Sequence, residues 1–91
     1  QTILFSALKR KHYIEMVDYI RKELSEAHLV VTTFDYVGAI EKTDYPSSEI
    51  EFVEDAYSFI EEYLTYASSK ETLWITGSLY FISFIRKFFV K

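Results

Sequence analysis

The residues best suited to chemistry lie in Thr76-Gly77-Ser78, where an apolar run gives way to a helix-type pattern beginning at Leu79. A glycine in such a strand-to-helix turn lets backbone approach a ligand closely, and a serine at the helix start sets a hydroxyl beside the first free amides. That combination can receive a carboxylate or a phosphate. The same serine also has a self-sufficient role as a helix cap. At the end of the run Leu29 to Phe34, Thr32 and Thr33 point to opposite faces, so one of them at most meets a ligand. Strand propensity and local turn bonding account for both without one. Lys9-Arg10-Lys11 is the one basic cluster, suited either to a phosphate or to a solvated loop. Asp35 has no histidine or second carboxylate near it in sequence and reads as a solvated turn acid rather than a general base. His12 and His28 lack an acidic partner motif and make a weak metal site. No residue of this chain is therefore assigned to catalysis, to a cofactor or to a metal.

Composition removes several function classes. With two glycines, Gly38 and Gly77, the chain can form neither a P-loop nor a dinucleotide fingerprint. The absence of cysteine excludes disulfides, thiolate catalysis and zinc-thiolate sites, and suits a reducing cytoplasm. Net charge is -4, and eight of the fourteen acidic residues fall between Glu41 and Glu62, beside Lys42 alone. Such a surface steers nucleic acid away, so Phe81, Phe84, Phe88 and Phe89 read as core and not as a base-stacking platform. The longest apolar stretch, Leu73 to Ile85, is too short to cross a bilayer. No signal-peptide pattern precedes the first strand, so the expected class is a soluble, cytoplasmic protein.

The elements that must position these residues alternate. Thr2 to Ala7 reads as a buried strand, followed by a helix with the stripe Tyr13, Val17, Ile20 and Leu24. Leu29 to Phe34 reads as a second strand and residues 35 to 47 as a loop. Ser48 and Glu51 fit a capping box, which predicts a helix with the stripe Val53, Tyr57, Ile60, Leu64 and Ala67, ended by Ser68-Ser69-Lys70. A third strand, Leu73 to Thr76, leads into a helix from Leu79 to about Phe89 that buries Ile82, Ile85 and Phe89. The pattern predicts an α/β domain with a mainly parallel sheet covered on both faces, and ligands beyond the carboxyl ends of its strands, after Ala7, Phe34 and Thr76.

The wording of the last turn is also a resemblance. Thr76-Gly77-Ser78-Leu79-Tyr80 after an apolar strand, with Arg86 in the following helix, resembles the C-terminal signature of bacterial folylpolyglutamate synthases and dihydrofolate synthases, in the Mur ligase superfamily. Thr2 to Lys9 is similar to the family strand that ends in Ala-Leu-Lys-Asp-Lys-Asp, and His28 to Asp35 to the strand that ends in Thr-Thr-Phe. The three motifs fall in the family's order and spacing over nearly the whole chain. Two positions depart from it: Arg10-Lys11-His12 replaces an acidic-basic-acidic run, and Gly38 stands where many relatives carry an Arg before the Ala.

The resemblance implies that residues 1-91 are a fragment of a Rossmann-like, three-layer, glutamate-binding C-terminal domain. The family's earlier strand ending in Asp-Gly-Ala-His-Asn is not in this sequence, so the expectation is a domain truncated at its N-terminus. Such a fragment should expose an apolar edge or face and self-associate. In the family, ATP phosphorylates the terminal carboxylate of a folate or dihydropteroate and the amine of L-glutamate attacks the acyl phosphate. By resemblance, Ser78 would bond the glutamate carboxylate, Gly77 would allow its approach, and Tyr80 would shape the pocket, with Thr33 as a further contact; Tyr80 reads equally as core. The Lys9 to Lys11 cluster would face a phosphate or a polyglutamate tail. ATP and Mg would be bound mainly by the enzyme's own N-terminal domain, over which this one closes, leaving the isolated chain inactive and without cofactor. Two alternatives remain at this point: a non-catalytic α/β interaction or regulatory domain, and a Mur-type ligase for another amino acid.

Overall fold

The computed structural model describes residues 1–44 and 50–89. In chain order they form β1 (Thr2–Ser6), α1 (Tyr13–Glu23), β2 (His28–Thr32), a short 3-10 helix (Lys42–Asp44), β3 (Glu51–Val53), α2 (Ala56–Tyr66), β4 (Leu73–Gly77) and α3 (Leu79–Phe89). The four strands make one sheet in the order β3-β2-β1-β4, and every pairing is parallel. β1 sits between β2 and β4, with Thr2 beside both His28 and Leu73, and its apolar run is buried from Ile3 onward. A strand covered on both faces reads as a continuous apolar run for that reason.

Alternation along β1 divides the core in two. Leu4 joins Val30, Ala56, Ile60, Phe81 and Ile85 on the side of α2 and α3. Phe5 joins Val17, Val31 and Ile40 on the side of α1. Helices thus cover both sheet faces, giving the three-layer, Rossmann-like α/β arrangement that the sequence predicts. Among the described residues, no helix is long and apolar enough to cross a membrane. β4 is an edge strand, and on its α1 side Trp74 is 55% exposed, over a groove shared with Ile3, Ile20 and Leu24.

The structure corrects the sequence reading in three places. Glu51 is a strand residue, and α2 starts later, at Ala56; Ser48, the other half of the supposed capping box, lies outside the described residues. Two forces move that boundary. Phe52 and Val53 pair with Val31 and Thr32, and the Thr32 hydroxyl donates to the Val53 carbonyl at 2.7 Å. Asp55 then caps α2 by accepting from the Ser58 amide at 3.0 Å. Of the expected α2 stripe, Ile60 is buried, while Tyr57 and Leu64 are exposed. In α3 Phe81 and Ile85 are buried as expected, while Ile82 and Phe89 are only partly covered and Phe88, read as core, is exposed.

Candidate functional site

The chain order places one crevice in the sheet. From β1 the connections step outward through β2 to β3, and α2 then carries the chain back to β4 on the opposite side of β1. The carboxyl ends of β1 and β4 are therefore the point where strand order reverses, and crevices at that point bind ligands in parallel α/β sheets. Ser6 and Gly77 are register partners there.

Gly77 holds this joint together. Its φ is +121°, and a Cβ built on it would lie 2.0 Å from the Ser6 carbonyl oxygen. The Ser78 amide donates to that same oxygen at 3.0 Å. The tight approach at Gly77 is thus to the main chain of β1. Ser78 follows as the cap of α3: its carbonyl accepts from the Ile82 amide at 3.1 Å and its hydroxyl accepts from the Tyr80 amide at 3.1 Å. Having accepted there, the hydroxyl keeps its own hydrogen to donate. Ser6 contributes a second hydroxyl to this corner; its Oγ is buried and has no hydrogen-bond partner among the described residues.

Tyr80 lies at the crevice rim, 46% exposed, and stacks on Tyr36 with ring centroids 4.8 Å apart. Tyr36 in turn stacks on Phe34, which packs against Phe81 of α3. This row of rings joins the loop after β2 to the start of α3. Thr32 is fully buried and bonded to Val53, so Thr33 is the more accessible of the pair. Thr33 directly follows β2 and is partly buried. The structure brings Gly77, Ser78 and Tyr80 together at the start of α3.

Beside the tyrosine pair lies an open cleft of about 710 Å³, walled by Leu8, Lys9 and Arg10 on one side and by Asp35, Tyr36, Val37 and Gly38 on the other. Its walls are joined by backbone. Leu8 and Ala39 form an antiparallel bridge, the Lys9 amide donates to the Gly38 carbonyl at 2.7 Å, and the Ile40 amide donates to Ala7 at 2.9 Å. Gly38 has φ +84° with open space beyond it, so this glycine serves conformation alone. The Lys9 ammonium lies 3.6 Å from Asp44 and 3.4 Å from Glu41. The charge of Asp44, then the bond to Glu41, raise its pKa above the ordinary lysine value. Sequence alone does not separate Lys9 from Arg10, and it does not bring Tyr36 to Tyr80; both depend on contacts made by the fold.

The histidines do not meet. His28 bonds Glu51 at 2.7 Å across the β2–β3 pair, while His12 precedes α1. Among the described residues, no group of three or more His, Asp or Glu side chains converges to hold a metal ion.

A parallel three-layer domain with its crevice at the reversal of strand order is the class that fold and site define. Comparison with known proteins is more particular: the chain is 39% identical over 93 residues to the dihydrofolate synthase/folylpolyglutamate synthase of Bacillus subtilis (strain 168). The match covers 94% of this chain and bears out the resemblance carried by its three motifs. The chain spans 20% of that relative's length. No family model matches the chain, and no solved structure matches it.

Proposed function

We propose that this chain is part of an ATP-dependent ligase that adds L-glutamate to folate or dihydropteroate through an acyl phosphate. In this reading it is the C-terminal domain, which positions glutamate and closes over an N-terminal ATPase domain. The similarity to the Bacillus subtilis enzyme along 94% of the chain carries the proposal. The crevice supports it, since Ser78 stands at the reversal of strand order, where parallel α/β sheets take ligands, and its hydroxyl, having accepted from the Tyr80 amide, keeps a hydrogen to donate to a carboxylate.

ATP and magnesium do not fit the residues present here. Two glycines cannot build a phosphate cradle, and the described residues offer no converging metal ligands. Those groups fall to the rest of the enzyme, and this chain alone is expected to be inactive. Its own contribution is orientation. The Ser78 hydroxyl donates to the glutamate carboxylate, and the Tyr36–Tyr80 pair walls the space beside it. Fixing one reactant in this way contributes to an amide-forming step by making the encounter effectively intramolecular. A cysteine-free composition suits a cytoplasmic setting for this chemistry.

The test is Ser78→Ala in the full-length enzyme. Loss of a hydrogen bond to a charged group is worth about 1.5 to 3 kcal/mol, so the KM for glutamate should rise roughly tenfold to a hundredfold. The KM values for ATP and folate should stay near wild type. A variant that is less stable yet has normal glutamate dependence would reduce Ser78 to a cap.

A further inference from the structure

The cleft beside the tyrosine pair is distinct from the Ser78 corner but adjoins it through Tyr36, which lines the cleft and stacks on Tyr80, two residues after Ser78. Its basic cluster is not uniform. Lys9 is engaged by Glu41 and Asp44, whereas Arg10 lines the same cleft, is exposed, and has no ion pair among the described residues. On the opposite wall Asp35 is exposed beside Tyr36. The backbone bonds between residues 7–9 and 38–40 hold the two walls in register, so the cleft does not have to assemble around its ligand. A guanidinium on one wall and a carboxylate on the other match a ligand that carries both a carboxylate and an ammonium group.

We infer that Arg10 forms a second carboxylate subsite, which with Ser78 grips a ligand bearing two carboxylates while Asp35 faces its ammonium group. The inference rests on the glutamate-positioning reading of this domain and adds a specificity determinant to it. An amino acid with one carboxylate would leave Arg10 without its partner, so selection against it follows. The second carboxylate comes either from the side chain of free glutamate or from a γ-linked glutamyl chain.

Amide-resolved NMR titration of the full-length enzyme with L-glutamate, L-glutamine and γ-glutamylglutamate tests the assignment. Glutamate should shift the amides around Arg10, Tyr36 and Ser78 together. Arg10→Ala should weaken glutamate binding roughly tenfold or more, to the level of glutamine, and leave glutamine binding unchanged. Arg10→Lys should retain part of the preference, because it keeps the charge and loses the fork. Tighter, Arg10-dependent binding of the γ-linked dipeptide would assign the subsite to a glutamyl chain; tighter binding of glutamate would assign it to the free amino acid. An unchanged ratio of glutamate to glutamine affinity in Arg10→Ala, or no Arg10-dependent response to any of the three ligands, overturns the inference. Shifts at Ser78 with none at Arg10 would overturn the subsite and leave the proposed function standing. Shifts at Arg10 and Tyr36 with Ser78 silent would overturn the joint grip and remove Ser78 from the site.

Discussion

The amino ends of α2 and α3 are built differently, although both helices begin at the carboxyl edge of the sheet. α2 carries its own anion: Asp55 accepts from the Ser58 amide and from the Ser58 hydroxyl, each at 3.0 Å. Those bonds, the amide first, hold its carboxyl below the ordinary aspartate range. α3 starts with a neutral serine and has no acidic residue in its first turn. A helix start attracts negative charge. α2 answers that attraction with a charge of its own, whereas α3, at the point where the strand order reverses, is capped by an uncharged hydroxyl.

Three substitutions break or sharpen this contrast, beyond those at Ser78 and Arg10 already described. The largest effect should come from Gly77→Ala, which combines an unfavourable φ with a Cβ placed 2.0 Å from the Ser6 carbonyl oxygen. A loss of about 3 kcal/mol or more in denaturant unfolding is expected. Wild-type stability in that variant would mean that the β1–β4 joint does not fix where α3 begins. Next, Ser78→Asp would give α3 the kind of cap that α2 has. It should add about 0.5 kcal/mol of stability at neutral pH and abolish the response to glutamate, because the new carboxylate occupies the helix end. Retained glutamate binding would erase the functional difference between the two helix starts.

The smallest effect concerns acid. Asp55 has a lowered pKa in the folded chain, so its contribution to stability is complete above the unfolded aspartate value and is lost as pH falls through the folded one. Asp55→Asn keeps a capping oxygen without the charge. Thermal melts from neutral pH down to about pH 3 should show a shallower acid loss in this variant, with glutamate binding unaltered. A slope identical to wild type would show that the Asp55 charge is idle.

How much of this was legible in the sequence depends on the range of the interaction. The order of strands and helices was readable because β1 and β2 are buried runs and α1 carries an apolar stripe. The boundary at residues 48–55 was not, since a local pattern at Ser48 and Glu51 competes with pairing of Phe52 and Val53 to the edge of β2. In α3 the burial of Phe81 and Ile85 was legible, but Ile82 and Phe88 were read as more buried than they are, because Phe81, Ile82, Phe84, Ile85, Phe88 and Phe89 leave little polar surface to define the buried side. At the site, the turn at Gly77 and Ser78 was visible as a turn. The reason for its glycine was not, because the atom that a side chain would strike belongs to Ser6, at the other end of the chain. Tyr36 was missed for the same reason, since its ring partner Tyr80 lies on α3.

The central position of β1 also bears on how the molecule is made. β1 is made well before β4, yet one of its two flanks is completed by β4, through pairs that run from Thr2 with Leu73 to Ser6 with Gly77. Closing so long a loop delays that pairing relative to nearby contacts. The crevice between β1 and β4 therefore comes into being late, after the intervening chain has been synthesised and folded back. The proposed ligand crevice is thus complete only when the sheet is.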